Sequence, residues 1–326
     1  MDDNVSRERD SHSIASVIIC TYNRAHLLKR VLRSLTKQSL PLNRFEVIVV
    51  DDGSQDDTAK LCDVMSRELP NFKYISLGTN SGKANACNAG IEKATGNHIL
   101  FTDDDCIAAN NWVERMNDAL EQEAIVAGAI ASPTGSYLKL CHNIAELHHF
   151  MPGQKEGQRE FIAGANMGFR RSVLEELRGF GEGTDPVDDM ELILRARTKG
   201  YGIYYVPDAL VTHDPERTTL SSIFGYSAEH ASRTILLRNE YRALLRTPFV
   251  LRSPALLLAA APAIALKVTW GIYLRNPRIA KLFWTAPMVY ALKLAWCWGA
   301  ARSLRDSASS KIDSGGAVRE AKGAEG

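Results

Sequence analysis

Short apolar segments that each end in a polar cluster constrain the fold of this chain more than any other feature. Ser16–Cys20, Phe45–Val50 and His98–Thr102 are long enough for strands, and their mostly apolar composition predicts burial on both faces. The polar clusters that follow them are Thr21–Arg24, Asp51–Ser54 and Asp103–Asp105. Further strands are predicted at Phe72–Ser76, Ala124–Ala131, Ile203–Val206 and Ala209–His213.

Segments with helical spacing alternate with these strands. Apolar side chains recur at helical spacing from Leu27 to Leu35, and helices are also predicted at Thr58–Leu69, Gly82–Ala94, near Asn110 and at Asp188–Lys199. Strands that alternate with helices predict an α/β fold with a parallel, doubly wound sheet. Ligands of such sheets bind beyond the carboxyl ends of the strands, so we expect the three polar clusters to line one pocket.

Asp103–Asp105 is the cluster best suited to a metal ion. Mg²⁺ and Mn²⁺ prefer oxygen ligands and are commonly held by one or two carboxylates together with substrate phosphates. A metal at this position would stabilise a departing diphosphate as a Lewis acid. The alternative is a solvated acidic loop or a helix cap, which the position beside two other polar strand ends disfavours.

Two other motifs offer groups for a nucleotide. A carboxylate of Asp51 or Asp52 could accept a hydrogen bond from a base or a ribose, and Gly53 would let the backbone turn closely. Lys83, at the start of a predicted helix, could contact phosphate. The alternatives are an Asp-Gly turn followed by a capped helix, and a surface lysine.

Composition bears on several other classes of protein. The net charge of +1 gives no indication of a nucleic-acid partner. The six cysteines form no Cys-x-x-Cys pair, which favours buried thiols in a reducing compartment. Neither a Gly-x-x-x-x-Gly-Lys-Ser/Thr loop nor a Gly-x-Gly-x-x-Gly motif after the first strand occurs. Residues 1–13 are polar and unlike a signal peptide, so we expect the catalytic part to stay in the cytosol.

Four motifs, in order, resemble those of glycosyltransferase family 2. They are SVIICTYNR at 16–24, VIVVDDGS at 47–54, NSGKANACNAG at 80–90 and ILFTDDD at 99–105. The resemblance covers residues 14–215 and implies the glycosyltransferase A (GT-A) fold, a Rossmann-like α/β sheet with an appended acceptor region. It also implies transfer of a sugar from a nucleotide-diphosphate sugar, of the UDP, dTDP or GDP type, to an acceptor hydroxyl.

The resemblance assigns donor and metal contacts by position. The positions expected to bind the nucleotide sugar are Thr21, Tyr22, Arg24, Asp51, Asp52, Lys83, Asp103 and Asp104, together with Gly164 and Asn166 of the segment GANMGFR. Asp103 and Asp105 match the Asp-x-Asp motif and are expected to bind Mg²⁺ or Mn²⁺. His213 ends a predicted strand and resembles a histidine that sometimes approaches the metal; the alternative is a structural histidine.

Asp189, in the segment DDMELILR at 188–195, resembles the catalytic base of the family's Glu-Asp motif. Asp188 stands where Glu is common, which keeps the charge, and Arg195 ends the motif. Apart from the resemblance, an acceptor hydroxyl needs a base that takes its proton as the new bond forms. A carboxylate opposite the leaving diphosphate predicts a single in-line displacement with inversion at the anomeric carbon. The alternative is that both aspartates cap a helix at its N-terminus.

The C-terminal part differs from the rest in charge and hydropathy. Ten Lys or Arg and no Asp or Glu lie between Tyr241 and Arg305. Ala255–Leu274 and Leu282–Ala301 are apolar and about as long as a membrane-crossing helix. Each contains a lysine, and a basic loop joins them, so we expect helices that lie at the cytoplasmic membrane surface. The alternatives are a soluble helical pair and a short transmembrane hairpin over 255–301.

We therefore predict a disordered N-terminus (1–13), a catalytic domain (14–225), a helical membrane-associating region (226–305) and a disordered tail (306–326). The stretch 132–160, with Glu146, His148 and His149, is expected to be mobile or to face the acceptor, a lipid-linked or glycan hydroxyl in bacterial surface polysaccharide or glycolipid synthesis. No Gln-x-x-Arg-Trp motif follows Asp189, which favours transfer of one or a few sugars. Two other functions stay open: a nucleotidyltransferase on a similar sheet and a binding module without turnover.

Overall fold

A computed structural model describes residues 15–181 and 188–323, with side chains through residue 307. The predicted disordered N-terminus, 1–13, lies outside the described residues. The chain divides into two compact units. The sheet unit comprises the described residues up to Gly135 together with His149–Glu216, and the helical unit comprises Ser136–His148 and the residues from Arg217 onward.

A nine-stranded sheet forms the centre of the sheet unit, which confirms the predicted α/β class. The strands are β1 (Ala15–Thr21), β2 (Phe45–Asp51), β3 (Phe72–Ser76), β4 (His98–Thr102), β5 (Cys106–Ala108), β6 (Ile125–Ala131), β7 (Gly157–Arg159), β8 (Asn166–Arg170) and β9 (Ile203–His213). Their order is β3-β2-β1-β4-β8-β6-β9-β5, and β7 pairs with β9. The helices are α1 (Ala25–Leu35), α2 (Thr58–Met65), α3 (Lys83–Lys93), α4 (Trp112–Gln122), α5 (Tyr137–Leu147), α6 (Arg171–Leu177), α7 (Asp188–Thr198), α8 (Leu220–Glu240), α9 (Pro254–Arg275), α10 (Pro277–Ala280) and α11 (Ala286–Gly323).

The sheet is parallel only in part. Strands β3, β2, β1 and β4 run parallel to one another, as predicted. Strand β8 lies antiparallel between β4 and β6, and β5 and β7 lie antiparallel to β9. Strands β6 and β9 pair parallel and run in the same direction as the first four, so the prediction of a parallel sheet is wrong only for β5, β7 and β8. Apolar periodicity identifies a strand but does not report the path of the connecting chain, which decides strand direction.

Local sequence explains the elements that flank the strand ends. Strands β1, β2 and β4 are apolar runs that the fold buries along nearly their whole length. The apolar positions of α1, which recur at helical spacing, are all buried. At Gly90 in α3, a Cβ atom would lie 2.6 Å from the side chain of Ile18 in β1. Glycine therefore allows α3 to pack directly on the central strand.

Three predicted elements differ from the structure. The strands predicted at Ile203–Val206 and Ala209–His213 form one strand, β9, because a register shift in its pairing with β6 carries the pairing past Pro207. The irregular stretch predicted at 132–160 contains α5, whose N-cap Ser136 accepts a hydrogen bond from the Lys139 N–H. Composition predicts a disordered tail from Asp306, whereas α11 continues to Gly323; extending an existing helix needs no new nucleus.

The helical unit has its own apolar core. Buried side chains of α8, α9 and α11 form one cluster, which includes Ile235, Leu257 and Cys297. Helix α11 packs closely on α8 at Gly299, where a Cβ atom would clash with the Ala228 carbonyl oxygen. The helical unit resumes at Arg217, nine residues before the start predicted from the sequence, residue 226. Helix α5 also belongs to this unit, which was not predicted.

A buried ion pair links helices of this unit. Glu146 of α5 lies 3.8 Å from the Lys293 ammonium of α11 and accepts a hydrogen bond from the Ser227 hydroxyl. Lys293 also donates to the Ala145 carbonyl oxygen. Burial raises the pKa of Glu146, but Lys293 and His230 outweigh it and hold that pKa well below its usual range. Glu146 is therefore an internal structural group and not the acceptor-facing residue considered from the sequence.

Helix α9 exposes much of its apolar surface. It is long and apolar enough to cross a membrane, and 28% of its most apolar 18-residue window is buried. Within 15–181 and 188–323 no other helix meets that test. The second apolar stretch predicted from the sequence instead contains Lys293, which the helical unit buries in an ion pair. This arrangement disfavours the transmembrane hairpin over 255–301.

Candidate active site

The loop after β1 is bonded to the loop after β4. Thr21 Oγ1 donates to Asp104 Oδ2 at 2.8 Å, and Arg24 Nη1 donates to Asp104 Oδ1 at 3.1 Å. The Asp52 N–H donates to the Thr21 carbonyl oxygen at 2.9 Å. Tyr22, between these positions, is 44% exposed. Since β1 lies between β2 and β4, the three polar clusters meet at one edge of the sheet, as predicted.

Asp51 ends β2 and is held by two neighbours. Its Oδ1 accepts the Ser54 N–H at 2.7 Å, and its Oδ2 accepts the Tyr74 hydroxyl at 2.6 Å. Tyr74 lies on β3, next to β2, and burial together with this bond raises its pKa. Tyr74 was not predicted as a site residue, because a tyrosine in a half-polar edge strand carries no motif. Its ring stands beside the carboxylate expected to contact the base.

Asp52 organises the loop that precedes α3. Its two carboxylate oxygens accept the N–H groups of Ser81 and Gly82 at 2.7 and 2.9 Å. These bonds fix the start of α3 and therefore the position of Lys83. A direct contact between Asp52 and the donor stays a prediction, and the geometry favours a positioning role. Gly53 has φ +86°, and a Cβ there would meet the Thr79 backbone at 2.7 Å.

Asp103, Asp105 and His213 form a cluster that can hold a metal ion. One ligand atom from each lies within 4.8 Å of the others, and His213 Nε2 lies 3.5 Å from Asp105 Oδ1. Antiparallel pairing of Cys106 in β5 with His213 in β9 brings the two segments together. Asp105 Oδ1 is buried and accepts no hydrogen bond from the described residues. An unbonded buried carboxylate oxygen beside an imidazole suits a divalent cation.

Lys83 adds a positive charge to this cluster. Its ammonium donates to Asp103 Oδ1 at 2.5 Å, and its side chain is half-exposed. Burial raises the pKa of Asp103, but Lys83, His213 and Arg24 together outweigh burial and lower it, so the carboxylate stays ionised. Burial likewise lowers the pKa of Lys83, and Asp103 raises it well above its usual value. A charged ammonium that remains partly accessible can contact a phosphate.

Asp104 differs from its two acidic neighbours. It is 4% exposed, and burial raises its pKa to about 6 even though Arg24 opposes the shift. Both carboxylate oxygens are bonded, one to Thr21 and one to Arg24. The geometry therefore favours a role in joining two loops over the predicted contact with the nucleotide sugar.

Asp189 lies in the first turn of α7. Its Oδ2 accepts the Gly164 N–H at 2.7 Å, and its Oδ1 accepts the Met190 N–H at 2.8 Å. A Cβ atom at position 164 would lie 2.9 Å from Asp189 Oδ2, so glycine is needed for this approach. The charge of Asp189 also raises the pKa of Lys83. Asp189 and Asp103 therefore both act on the Lys83 ammonium.

The Asn166 side chain is bonded inside the sheet unit. It is 1% exposed, and its amide oxygen accepts the Trp112 indole N–H of α4 at 2.8 Å. Its amide nitrogen donates to the carbonyl oxygens of Ala129 in β6 and Ala209 in β9. The geometry therefore disfavours the predicted donor contact, because the amide joins β8 to α4, β6 and β9.

Arg195 holds two helices together. Its guanidinium donates to the Glu191 carboxylate and to the carbonyl oxygens of Leu177 and Gly179. These bonds fix α7 against the end of α6. Arg195 therefore supports the helix that carries Asp189, while Asp188 begins that helix.

Solved structures share this fold. The chain aligns with a mannosyltransferase, PcManGT of Pyrobaculum calidifontis, solved with GDP-Man and Mn²⁺, at TM-score 0.63 and 22% identity; the alignment covers 90% of this chain and 88% of that one. It also aligns with residues 1–349 of Staphylococcus aureus TarS in complex with UDP, at TM-score 0.53 and 18% identity, covering 90% and 92%. The predicted GT-A fold with a helical extension is confirmed.

Curated relatives match parts of the sequence. Glycosyltransferase AglE of Haloferax volcanii is 26% identical over 200 residues, which is 61% of this chain and 66% of AglE. TarS, a poly(ribitol-phosphate) beta-N-acetylglucosaminyltransferase of S. aureus, is 41% identical over 91 residues, which is 28% of this chain and 16% of TarS. The matches thus span less than two thirds of the length of either relative.

Family models match most of the described chain. The model for glycosyl transferase family 2 matches residues 16–178, which contain the strand-end clusters and Gly164. The model for glycosyl transferase family group 2 matches residues 98–306, which contain Asp103–Asp105, Asp189 and His213. These matches agree with the sheet order and the acidic cluster described above, and the chain belongs to glycosyltransferase family 2.

Proposed function

We propose that this protein transfers a sugar from a nucleotide-diphosphate sugar to an acceptor hydroxyl, with inversion at the anomeric carbon. One observation carries the proposal. Lys83 donates to Asp103 of the Asp103–Asp105–His213 cluster, and the charge of Asp189 acts on the same ammonium. This supports a donor diphosphate beside Lys83 and the metal cluster, with the acceptor on the side of Asp189.

On the donor side, the base and ribose are held at the ends of β1 and β2. Asp51, Tyr74 and the exposed Tyr22 offer hydrogen bonds and ring surface there. Lys83 contacts the diphosphate once the incoming phosphate competes for its ammonium. GDP-Man in PcManGT and UDP in TarS support a nucleotide donor, without deciding which base this chain takes.

Asp103, Asp105 and His213 would hold Mg²⁺ or Mn²⁺. When bound, the ion neutralises the diphosphate and stabilises it as the leaving group. The unbonded Asp105 oxygen and the imidazole nitrogen beside it support this assignment. The Mn²⁺ present with PcManGT supports it from a related fold.

On the acceptor side, Asp189 is the general base. The acceptor oxygen forms a bond to the anomeric carbon while the bond from that carbon to the diphosphate oxygen breaks. The acceptor proton passes to the Asp189 carboxylate. The Gly164 N–H holds Oδ2 in place, and the carboxylate keeps lone pairs that can take this proton.

Variants separate this function from the two alternatives. Donors of the UDP, dTDP and GDP classes are screened with Mn²⁺, and release of nucleoside diphosphate is measured. Asp189→Asn should keep donor binding and lose about 10²-fold or more of the rate, the range of one general base. Asp105→Ala should weaken Mn²⁺-dependent donor binding. Asp57→Asn, at an exposed carboxylate immediately before α2, is the control. It should change neither the transfer rate nor donor binding.

The outcomes discriminate between functions. Release of inorganic pyrophosphate from a nucleoside triphosphate and a sugar phosphate would identify a nucleotidyltransferase. Tight donor binding without turnover, unchanged in Asp189→Asn, would identify a binding module. Either result would overturn the proposed transfer reaction.

We further propose that the acceptor is lipid-linked or a glycan hydroxyl at the cytoplasmic membrane surface, in bacterial surface polysaccharide or glycolipid synthesis. Helix α9 supports the membrane part of this proposal. Leu266, Trp270 and Leu274 are 60%, 65% and 68% exposed along it. Exposed basic side chains flank them, and no acid lies between 241 and 305. An apolar face edged by basic groups suits an anionic lipid surface.

Vesicle flotation tests the membrane proposal. The full chain should float with phosphatidylglycerol vesicles and much less with phosphatidylcholine vesicles. Trp270→Ser with Leu274→Ser should lose the association, because both side chains are exposed and their replacement leaves the core intact. Leu220→Ser, at an exposed leucine of α8, is the matched control. Equal flotation of all three proteins, or none by the wild type, would refute this proposal.

A further inference from the structure

Asp214 connects the proposed metal cluster to a helix that carries none of its ligands. Its N–H donates to the Asp105 carbonyl oxygen at 2.9 Å, one residue beyond the pairing of His213 with Cys106. Its carboxylate accepts a hydrogen bond from the Arg30 guanidinium of α1 at 2.5 Å. The Asp214 backbone thus bonds to Asp105, and the residue before it in the chain is His213; both are proposed metal ligands. The Asp214 side chain bonds to α1.

This ion pair is more protected than a second one between the same elements. The Asp214 side chain is 14% exposed and that of Arg30 is 38% exposed. His26 of α1 also bonds to Glu216, but those side chains are 64% and 51% exposed. Exposed pairs contribute about 0–1 kcal/mol because water and salt screen them. The Asp214 carboxylate is mostly buried, so water and salt screen its pair with Arg30 less than they screen the His26–Glu216 pair. The Arg30–Asp214 pair therefore holds the two segments together more strongly.

We propose that Arg30 is a positioning residue for the metal cluster and acts through Asp214. The pair fixes the segment after β9 against α1, so that His213 stays beside Asp103 and Asp105. Arg24, at the start of the same helix, bonds to Asp104. Helix α1 therefore joins the two chain segments that supply the ligands. This inference rests on the metal site of the proposed function.

The expected effect follows from how metal ligands are oriented. Groups that orient a ligand typically change metal affinity by about 10–100-fold when removed. Arg30→Ala should therefore weaken Mn²⁺ binding by about 10-fold or more. Arg30→Lys keeps the charge and should recover part of this loss. In the double variant Arg30→Ala/Asp214→Asn the losses should not add, because both changes break one connection.

Mn²⁺ titration of the full chain, followed by the electron paramagnetic resonance signal of free Mn²⁺, measures this directly and needs no donor. Asp105→Ala supplies the reference for loss of the site. His26→Ala is the matched control, because it removes the solvent-exposed pair with Glu216 between the same two segments. This variant should bind Mn²⁺ like the wild type. Circular dichroism melting in EDTA shows whether each variant is folded.

The outcomes are distinct. A wild type that binds no Mn²⁺ at this site would overturn the metal site of the proposed function, and this inference with it. A wild type that binds Mn²⁺, with equal affinity in Arg30→Ala, would overturn the inference alone. Equal losses in Arg30→Ala and His26→Ala would also overturn it, because they would show a general loosening of α1. If Arg30→Ala does not fold, Arg30→Lys and Asp214→Asn decide by the same comparison.

Discussion

Gly164→Ala tests the placement of the proposed base without removing any polar group. The new Cβ atom would stand 2.9 Å from Asp189 Oδ2, and ordinary contact begins near 3.4 Å. The carboxylate must therefore move by about 0.5 Å, which also stretches its 2.7 Å hydrogen bond to the residue 164 N–H. Since a 1 Å misplacement can lower a rate by about 10²-fold, we expect kcat to fall by about tenfold.

The assay is the initial rate of nucleoside diphosphate release at saturating donor, with donor affinity measured separately by calorimetry. Donor affinity should be unchanged, because Lys83, Asp103 and Asp105 keep their positions. Gly202→Ala is the matched control: its Cβ would meet the Gln158 side chain at 2.7 Å, a similar clash in the same unit. It should leave kcat within about twofold of the wild type, as expected for a surface substitution whose neighbour can move.

Two results would refute this reasoning. An unchanged kcat in Gly164→Ala would show that the position of Asp189 does not limit the reaction. A fall in donor affinity equal to the fall in kcat/KM would place Gly164 and Asp189 on the donor side of the cleft.

Other substitutions test the helical unit and the strand-end loops. Glu146→Ala should destabilise the protein by about 3–5 kcal/mol in urea unfolding, because it leaves the Lys293 charge buried without its partner; Glu146→Gln with Lys293→Met should restore most of it. Because the folded pKa of Glu146 is lowered, its stabilisation is present above about pH 4.3 and is lost as pH falls toward the folded value. The acid limb of stability should therefore be shallower in that double variant. Gly53→Ala should lower the free energy of unfolding by about 1–3 kcal/mol, and by more than Gly78→Ala, which has positive φ without a clash.

Much of the sheet could be predicted because its signals are local. Strands β1 to β4 lie within one or two residues of their predicted bounds, since each is an apolar run that stops at polar or turn-forming residues. The same is true of α7, whose acidic first turn marks its start. The three polar clusters could be predicted to meet because β1, β2 and β4 run in the same direction.

The rest depended on contacts that no local pattern reports. Asn166 lies in a motif-like segment, yet its amide bonds to α4, β6 and β9. From the sequence, Lys293 is a charge that opposes membrane insertion of an apolar stretch. Its partner Glu146 is far away in the sequence, so the buried ion pair could not be predicted. Helix α5 was missed because the glycines and prolines on either side of it obscure an 11-residue helix. The antiparallel β8 depends on the path of the chain between β6 and α6.

The proposed reaction needs a metal-bound diphosphate opposite the Asp189 carboxylate. Crystals grown with Mn²⁺ and UDP or GDP, measured at the manganese absorption edge, show whether the groups are arranged in this way. We expect one strong anomalous peak bounded by Asp103, Asp105 and His213, with the diphosphate bound to it and Asp189 across the sugar-binding space. A peak held by other residues, or a diphosphate bound away from this cluster with Asp189 facing another surface, would contradict it.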